Sequence, residues 1–172
     1  MAAKKGAVAK PTEVSYSLQG GPTLEGLTFK AEPRRPIADQ EQVQLNFGLR
    51  MRRVSLNVLG VQLALEVRGV DGLELGISYT AAFSVENADG DELDRHLRFV
   101  AAQLGPSTLY PFLRETVVSL LQKAGLPVVV PPILQLGRMM DPADVKLPPP
   151  PDSTEAPSRK KKAPRRKKGA KS

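Results

Sequence analysis

Between Leu24 and Glu86 apolar and polar residues alternate with a period of two, the spacing of strands with one covered face and one wet face. Leu27 and Phe29 alternate with Gly26, Thr28 and Lys30, and Leu45, Phe47, Leu49 and Met51 with Gln44, Asn46, Gly48 and Arg50. Leu59, Val61, Leu63, Leu65 and Val67 make a third set; Leu73, Leu75, Ile77, Tyr79, Ala81, Phe83 and Val85 make a fourth. Gly69-Val70-Asp71-Gly72 between the last two suits a hairpin. The pattern predicts an antiparallel sheet whose last two strands reach roughly 13 residues, against a usual ~5–6. Strands that long carry more apolar face than this chain's helices can cover, so an oligomer is expected. The alternative is a monomer whose strands are broken by bulges at Gly60 or Gly76.

After Glu86 the period changes. Asn87 to Asp91 reads as a turn and helix start, with Asp89 or Asp91 as the cap. Leu93, Leu97, Val100, Ala101 and Leu104 form one helical stripe, which Gly105-Pro106 is expected to stop. Ser107 or Thr108 can cap a second helix, with Pro111 in its first turn and Phe112, Leu113, Val117, Leu120, Leu121 and Ala124 as its stripe. Gly125 is placed as a C-terminal stop. Leu126 to Leu134 is apolar, extended and interrupted by Pro127, Pro131 and Pro132, so it cannot be a central strand.

Charge changes the picture at one end only. The chain has 172 residues and a formal net charge of +7. Residues 148–172 hold nine bases (Arg159, Lys160, Lys161, Lys162, Arg165, Arg166, Lys167, Lys168, Lys171) against Asp152 and Glu155, so the whole excess sits there. Its prolines and cations cannot bury enough apolar area to offset the entropy of ordering, and it reads as a disordered Pro-rich then basic tail. Residues 1–12 read as a second flexible end, leaving 13–147 as the folded domain. The tail can attract phosphates non-specifically, and a nucleic-acid-binding protein is the alternative function it suggests. No aromatic residue interleaves its charges, so the stacking half of a single-strand binder is missing.

Other chemistry is sparse. The basic start lacks the apolar segment of a secretory signal, and no apolar run approaches the ~20 residues of a membrane-spanning helix, so a cytoplasmic protein is expected. The chain has no cysteine and one histidine, His96. With no second ligand at metal spacing, His96 reads as a surface or boundary residue. Neither a phosphate-cradling Gly-rich loop nor a nucleophile elbow is found. The expectation is no enzyme, no metal and no cofactor.

The segment Leu109-Tyr110-Pro111-Phe112-Leu113-Arg114-Glu115, then Gly125-Leu126-Pro127, then Pro132-Ile133, resembles the SecB family of protein-export chaperones. Leu27-Thr28-Phe29 and Phe83-Ser84 match strand segments of that family, and the resemblance spans roughly residues 24 to 136 in order. It implies an α+β fold, a four-stranded antiparallel sheet with two helices on one face, assembled as a homotetramer (a dimer of dimers). It implies an ATP-independent holdase that binds unfolded or newly made polypeptides in hydrophobic grooves, in some members for export and translocation.

The resemblance also places candidate residues. Groove positions fall on Tyr110, Phe112, Leu126, Val128, Val130, Ile133, Leu134, Leu136, Met139 and Met140. Positions that affect tetramer assembly fall on Leu73, Leu75, Ile77 and Tyr79. The family's export members dock the SecA motor through acids on the wet face of strands one and four. Here those positions read Gly26, Lys30 and Gly76, with Glu74 the one acid nearby, so SecA is a possible partner without its acidic docking positions.

Overall fold

Period-two alternation folds as expected into a four-stranded antiparallel sheet, one face apolar and the other polar. The computed structural model describes residues 13–32, 44–68, 72–126 and 140–151. The strands are β1 (Ser15–Ala31), β2 (Gln44–Ser55), β3 (Val58–Arg68) and β4 (Leu73–Glu86), in the spatial order β1-β4-β3-β2. The central strands are therefore β3 and β4, and their core-face residues from Leu59 to Val67 and from Leu73 to Ile77 are buried. β1 and β2 are the edges.

The register explains how such long strands persist. β3 and β4 pair without interruption from Val58 opposite Ser84 to Val67 opposite Leu75, so neither Gly60 nor Gly76 is a bulge. The irregularities lie on the edges instead: in β1 between Gln19 and Thr23 and between Leu24 and Gly26, and in β2 between Arg53 and Ser55. Bulges at an edge let a long strand follow the sheet twist without breaking the central ladder.

The helical layer crosses the apolar face as α1 (Gly90–Phe99), a π-helical turn (Val100–Leu104) and α2 (Gly105–Lys123). The expected turn is present: Asn87 adopts a positive φ, and Asp89 receives the Glu92 and Leu93 amides on its backbone carbonyl. Asp89 is the cap residue, but its side chain makes no capping bond. The stop expected at Gly105-Pro106 does not occur. The backbone widens there, with Gly105 N–H reaching back to the Val100 carbonyl, and the helix continues through Pro106 and Pro111. A π turn relaxes the i−4 geometry with which a mid-helix proline conflicts. Thr108 is consequently inside the helix rather than at its cap, its hydroxyl donating to the Leu104 carbonyl at 2.8 Å. Gly125 ends α2 as expected, in a left-handed conformation, with the Leu126 amide bonded to the Leu121 carbonyl at 2.9 Å.

Gly105 is required by contact. A Cβ there would lie 2.8 Å from Val61 Cγ1 and 3.0 Å from the Val100 carbonyl oxygen, so the helix lies directly on β3. Gly105→Ala is expected to destabilise by about 1–3 kcal/mol through overpacking, read as a lower urea midpoint with an unchanged slope.

Two polar ties fix α1. Arg53, buried at the end of β2, donates to the Leu56 carbonyl at 2.7 and 3.1 Å and pairs with Asp94 at 3.1 Å. On the other side, the Tyr16 hydroxyl of β1 lies 2.5 Å from His96 Nδ1, and the Tyr16 ring is 5.7 Å from Phe99. Past residue 139 the chain returns to this layer: Val145 is buried, and Met140 and Leu147 pack against the core. Residues 1–12 and 152–172, expected as loose ends, lie outside the described residues, apart from the coil 148–151.

Candidate binding groove

α2 covers the middle of the apolar face and leaves both edge strands incompletely covered. On the β2 side this makes a groove of about 320 Å³, with Phe47, Leu49 and Leu63 from the sheet, Ala102 and Pro106 from the helical layer, and Met140. Edge placement is the cause. Leu45, Phe47, Leu49 and Met51 point to the same face as the buried residues of β3, yet stay half-exposed because no element among the described residues covers them completely. The proline ring and the widened π turn shape the helical wall. The groove is mainly apolar and lined partly by an adaptable methionine, which suits apolar side chains of varied shape.

Tyr110 and Phe112, two residues apart on α2, go to opposite flanks. Tyr110 is buried beside the groove, its ring 6.4 Å from Phe47. Burial pushes its hydroxyl above the ordinary phenol value, partly offset by the Arg114 charge. Phe112 is exposed on the β1 flank, its ring 6.1 Å from Tyr79. The structure thus brings Tyr110 and Met140 to the β2-side groove and takes Phe112 away from it. Leu126 packs against the core at the end of α2. Val128, Val130, Ile133, Leu134, Leu136 and Met139 lie outside the described residues.

Leu73, Leu75 and Ile77 are buried within the protomer's own core. They could touch a second copy only through what covers them. Tyr79 is half-exposed, with its hydroxyl 2.8 Å from that of Thr116. The open apolar surface on this side belongs to β1: Leu18 is 39%, Leu24 43% and Leu27 47% exposed, with Phe112 at 42% on α2 alongside. Leu24 and Leu27 stand opposite Tyr79 and Ile77. Alternation placed Leu27 on this face, but nothing in the pattern distinguished an edge strand from a central one, and the groove residues of β2 were missed for that reason.

On the polar face, Lys30 lies opposite Glu74 and Thr28 opposite Gly76. Among the described residues no three His, Cys, Asp or Glu side chains group as a metal site, and no helix is long and apolar enough to cross a membrane.

No protein-family model matches the chain, and no curated protein matches it. Solved structures do. A SecB-like chaperone of Mycobacterium tuberculosis, in complex with a ChAD peptide from the HigA1 antitoxin, matches with a TM-score of 0.55 and 20% identity over 69% of this chain and 90% of that one. A Streptococcus agalactiae protein of unknown function matches at a TM-score of 0.40 and 10% identity, over 69% of this chain and 96% of that one, too distant to carry an argument. The chain has the SecB-like fold.

Proposed function

We propose that this SecB-like protein is an ATP-independent holdase, a binding protein without catalysis, that holds unfolded or newly made polypeptides in the cytoplasm. The observation that carries the reading is the apolar groove that the described residues leave open between β2 and the π turn, with Met140 at its side. A groove of this size takes a few apolar side chains of an extended segment, and several such segments recur along any unfolded chain. The mycobacterial neighbour, a SecB-like chaperone seen with a peptide from an antitoxin, supports a peptide as the kind of ligand.

The mechanism needs more than one groove. Each contributes modest affinity, and a tetramer built as a dimer of dimers presents several to one client, so effective concentration raises the overall affinity. The exposed apolar side of β1 supports self-assembly. Export is one use of such a holdase. Delivery to SecA would have to proceed without the acids used by export members, because Gly26, Lys30 and Gly76 occupy those positions.

The direct test is light scattering of a chemically denatured client diluted into buffer with and without the protein. Suppression at about one client per oligomer, unchanged by adding or omitting nucleotide, is expected; full aggregation at stoichiometric protein would overturn the reading.

A further inference from the structure

On the opposite face of the sheet lies a trough of about 550 Å³, larger than the apolar groove. One wall is the irregular stretch of β1 between Gln19 and Thr23, and the other is β2. The floor, from β3 and β4, includes Gly60 and Ala82, so it is low. β2 lines the trough with Arg50, Arg52 and Val54, three consecutive positions of its polar face. All three are exposed.

Arg50 and Arg52 stand two residues apart on one face of β2, and neither forms an ion pair among the described residues. Two carboxylates lie nearby and are already bonded: Glu25, on the β1 side of the trough, accepts from Gln62 Nε2 at 2.9 Å, and Glu66, close to Arg50 on the same face, pairs with Arg68 at 2.7 Å.

We propose that this trough binds an extended acidic peptide, with two carboxylates at alternate positions on Arg50 and Arg52 and a following apolar residue against Val54. Alternate side chains of an extended peptide project to one side about 7 Å apart, the same spacing that separates Arg50 from Arg52 on their own strand. Each arginine can take a carboxylate in two parallel hydrogen bonds. A nucleic acid fits less well. The aromatic residues of the sheet (Tyr16, Phe29, Phe47, Tyr79, Phe83) all belong to the apolar face, leaving no stacking platform for bases. The inference goes beyond the holdase reading and does not rest on it, since the two sites occupy opposite faces of the sheet.

The test uses the full chain and a fluorescein-labelled octapeptide of alternating glutamate and serine ending in leucine, followed by anisotropy. Arg50→Glu with Arg52→Glu is expected to weaken binding at least tenfold. Gly60→Ala tests the same trough without changing charge: a Cβ at Gly60 meets the Arg52 carbonyl oxygen at 3.4 Å and Val54 Cγ2 at 3.6 Å, so the added methyl is accommodated and raises the floor. It is expected to weaken binding about fivefold or more. Replacing Lys160, Lys161 and Lys162 by glutamine should leave binding within twofold. Three results would each overturn the proposal: undiminished binding by the folded arginine variant, loss of binding in the lysine variant alone, or an oligothymidine of equal charge binding as tightly through the same arginines. Suppression of client aggregation by the arginine variant is expected to be unchanged, which separates failure of this site from failure of the holdase.

Discussion

Replacing Leu49 and Met140 together by glutamine is expected to weaken binding of an extended apolar peptide roughly thirtyfold and to remove most suppression of client aggregation. Both side chains line the groove and are half-exposed, so a client completes their burial. Completing the burial of one such side chain is worth about 1 kcal/mol, and two give about 2 kcal/mol. On the holdase reading several grooves act on one client, so the loss multiplies across the oligomer and the aggregation assay should respond more steeply than the single-peptide titration. Neither residue belongs to the fully buried set, so the circular dichroism spectrum should be retained. Phe112→Gln serves as the control. It lies on the other flank of α2 and should leave single-peptide affinity within twofold. Equal losses from both substitutions would mean that the groove has been assigned to the wrong side of the helix.

That control matters because the sequence pattern could not separate the flanks. Tyr110 and Phe112 belong to one motif, yet two residues on a helix differ by about 200° in direction, which sends one toward β2 and the other toward β1. The four strands were legible because their alternation is nearly unbroken, most clearly in β4, which carries an apolar residue at every second position from Leu73 to Val85. Pairing order was not legible, since period two assigns residues to faces and says nothing about neighbours. The first half of β1 was missed as well: Gly20-Gly21-Pro22 interrupts the alternation, and the strand passes this stretch through an edge irregularity. The helix stop was misplaced for a related reason. Gly105-Pro106 is a strong terminator in isolation, but the π turn accommodates the proline and the missing Cβ lets the helix lie on Val61. Local signals were outweighed there by packing, and that same packing sets the wall of the groove.

Substituting aspartate for both Leu24 and Leu27 is expected to reduce the mass in solution from that of the proposed tetramer to that of a monomer or dimer, measured by multi-angle light scattering. The argument starts from the imbalance between the two sides of α2. Among the described residues, those left half-exposed on the β2 side form a concave groove, whereas on the β1 side Leu18, Leu24, Leu27 and Phe112 are exposed without an enclosing wall. A long edge strand with apolar side chains exposed invites pairing with another chain, and a second copy of the protein supplies a matching surface through a twofold axis. Completing the burial of each half-exposed leucine gives about 1 kcal/mol per copy, so replacing both removes about 4 kcal/mol of apolar burial from a twofold interface. An aspartate in the same place forfeits that gain and adds the desolvation of an unpaired carboxylate, so the change in mass should be nearly complete. The protomer should stay folded, because Leu24 and Leu27 lie outside the buried core, and its single-groove peptide affinity should be preserved while aggregation suppression falls with the loss of linked grooves. A variant that remains tetrameric would place the interface elsewhere than β1.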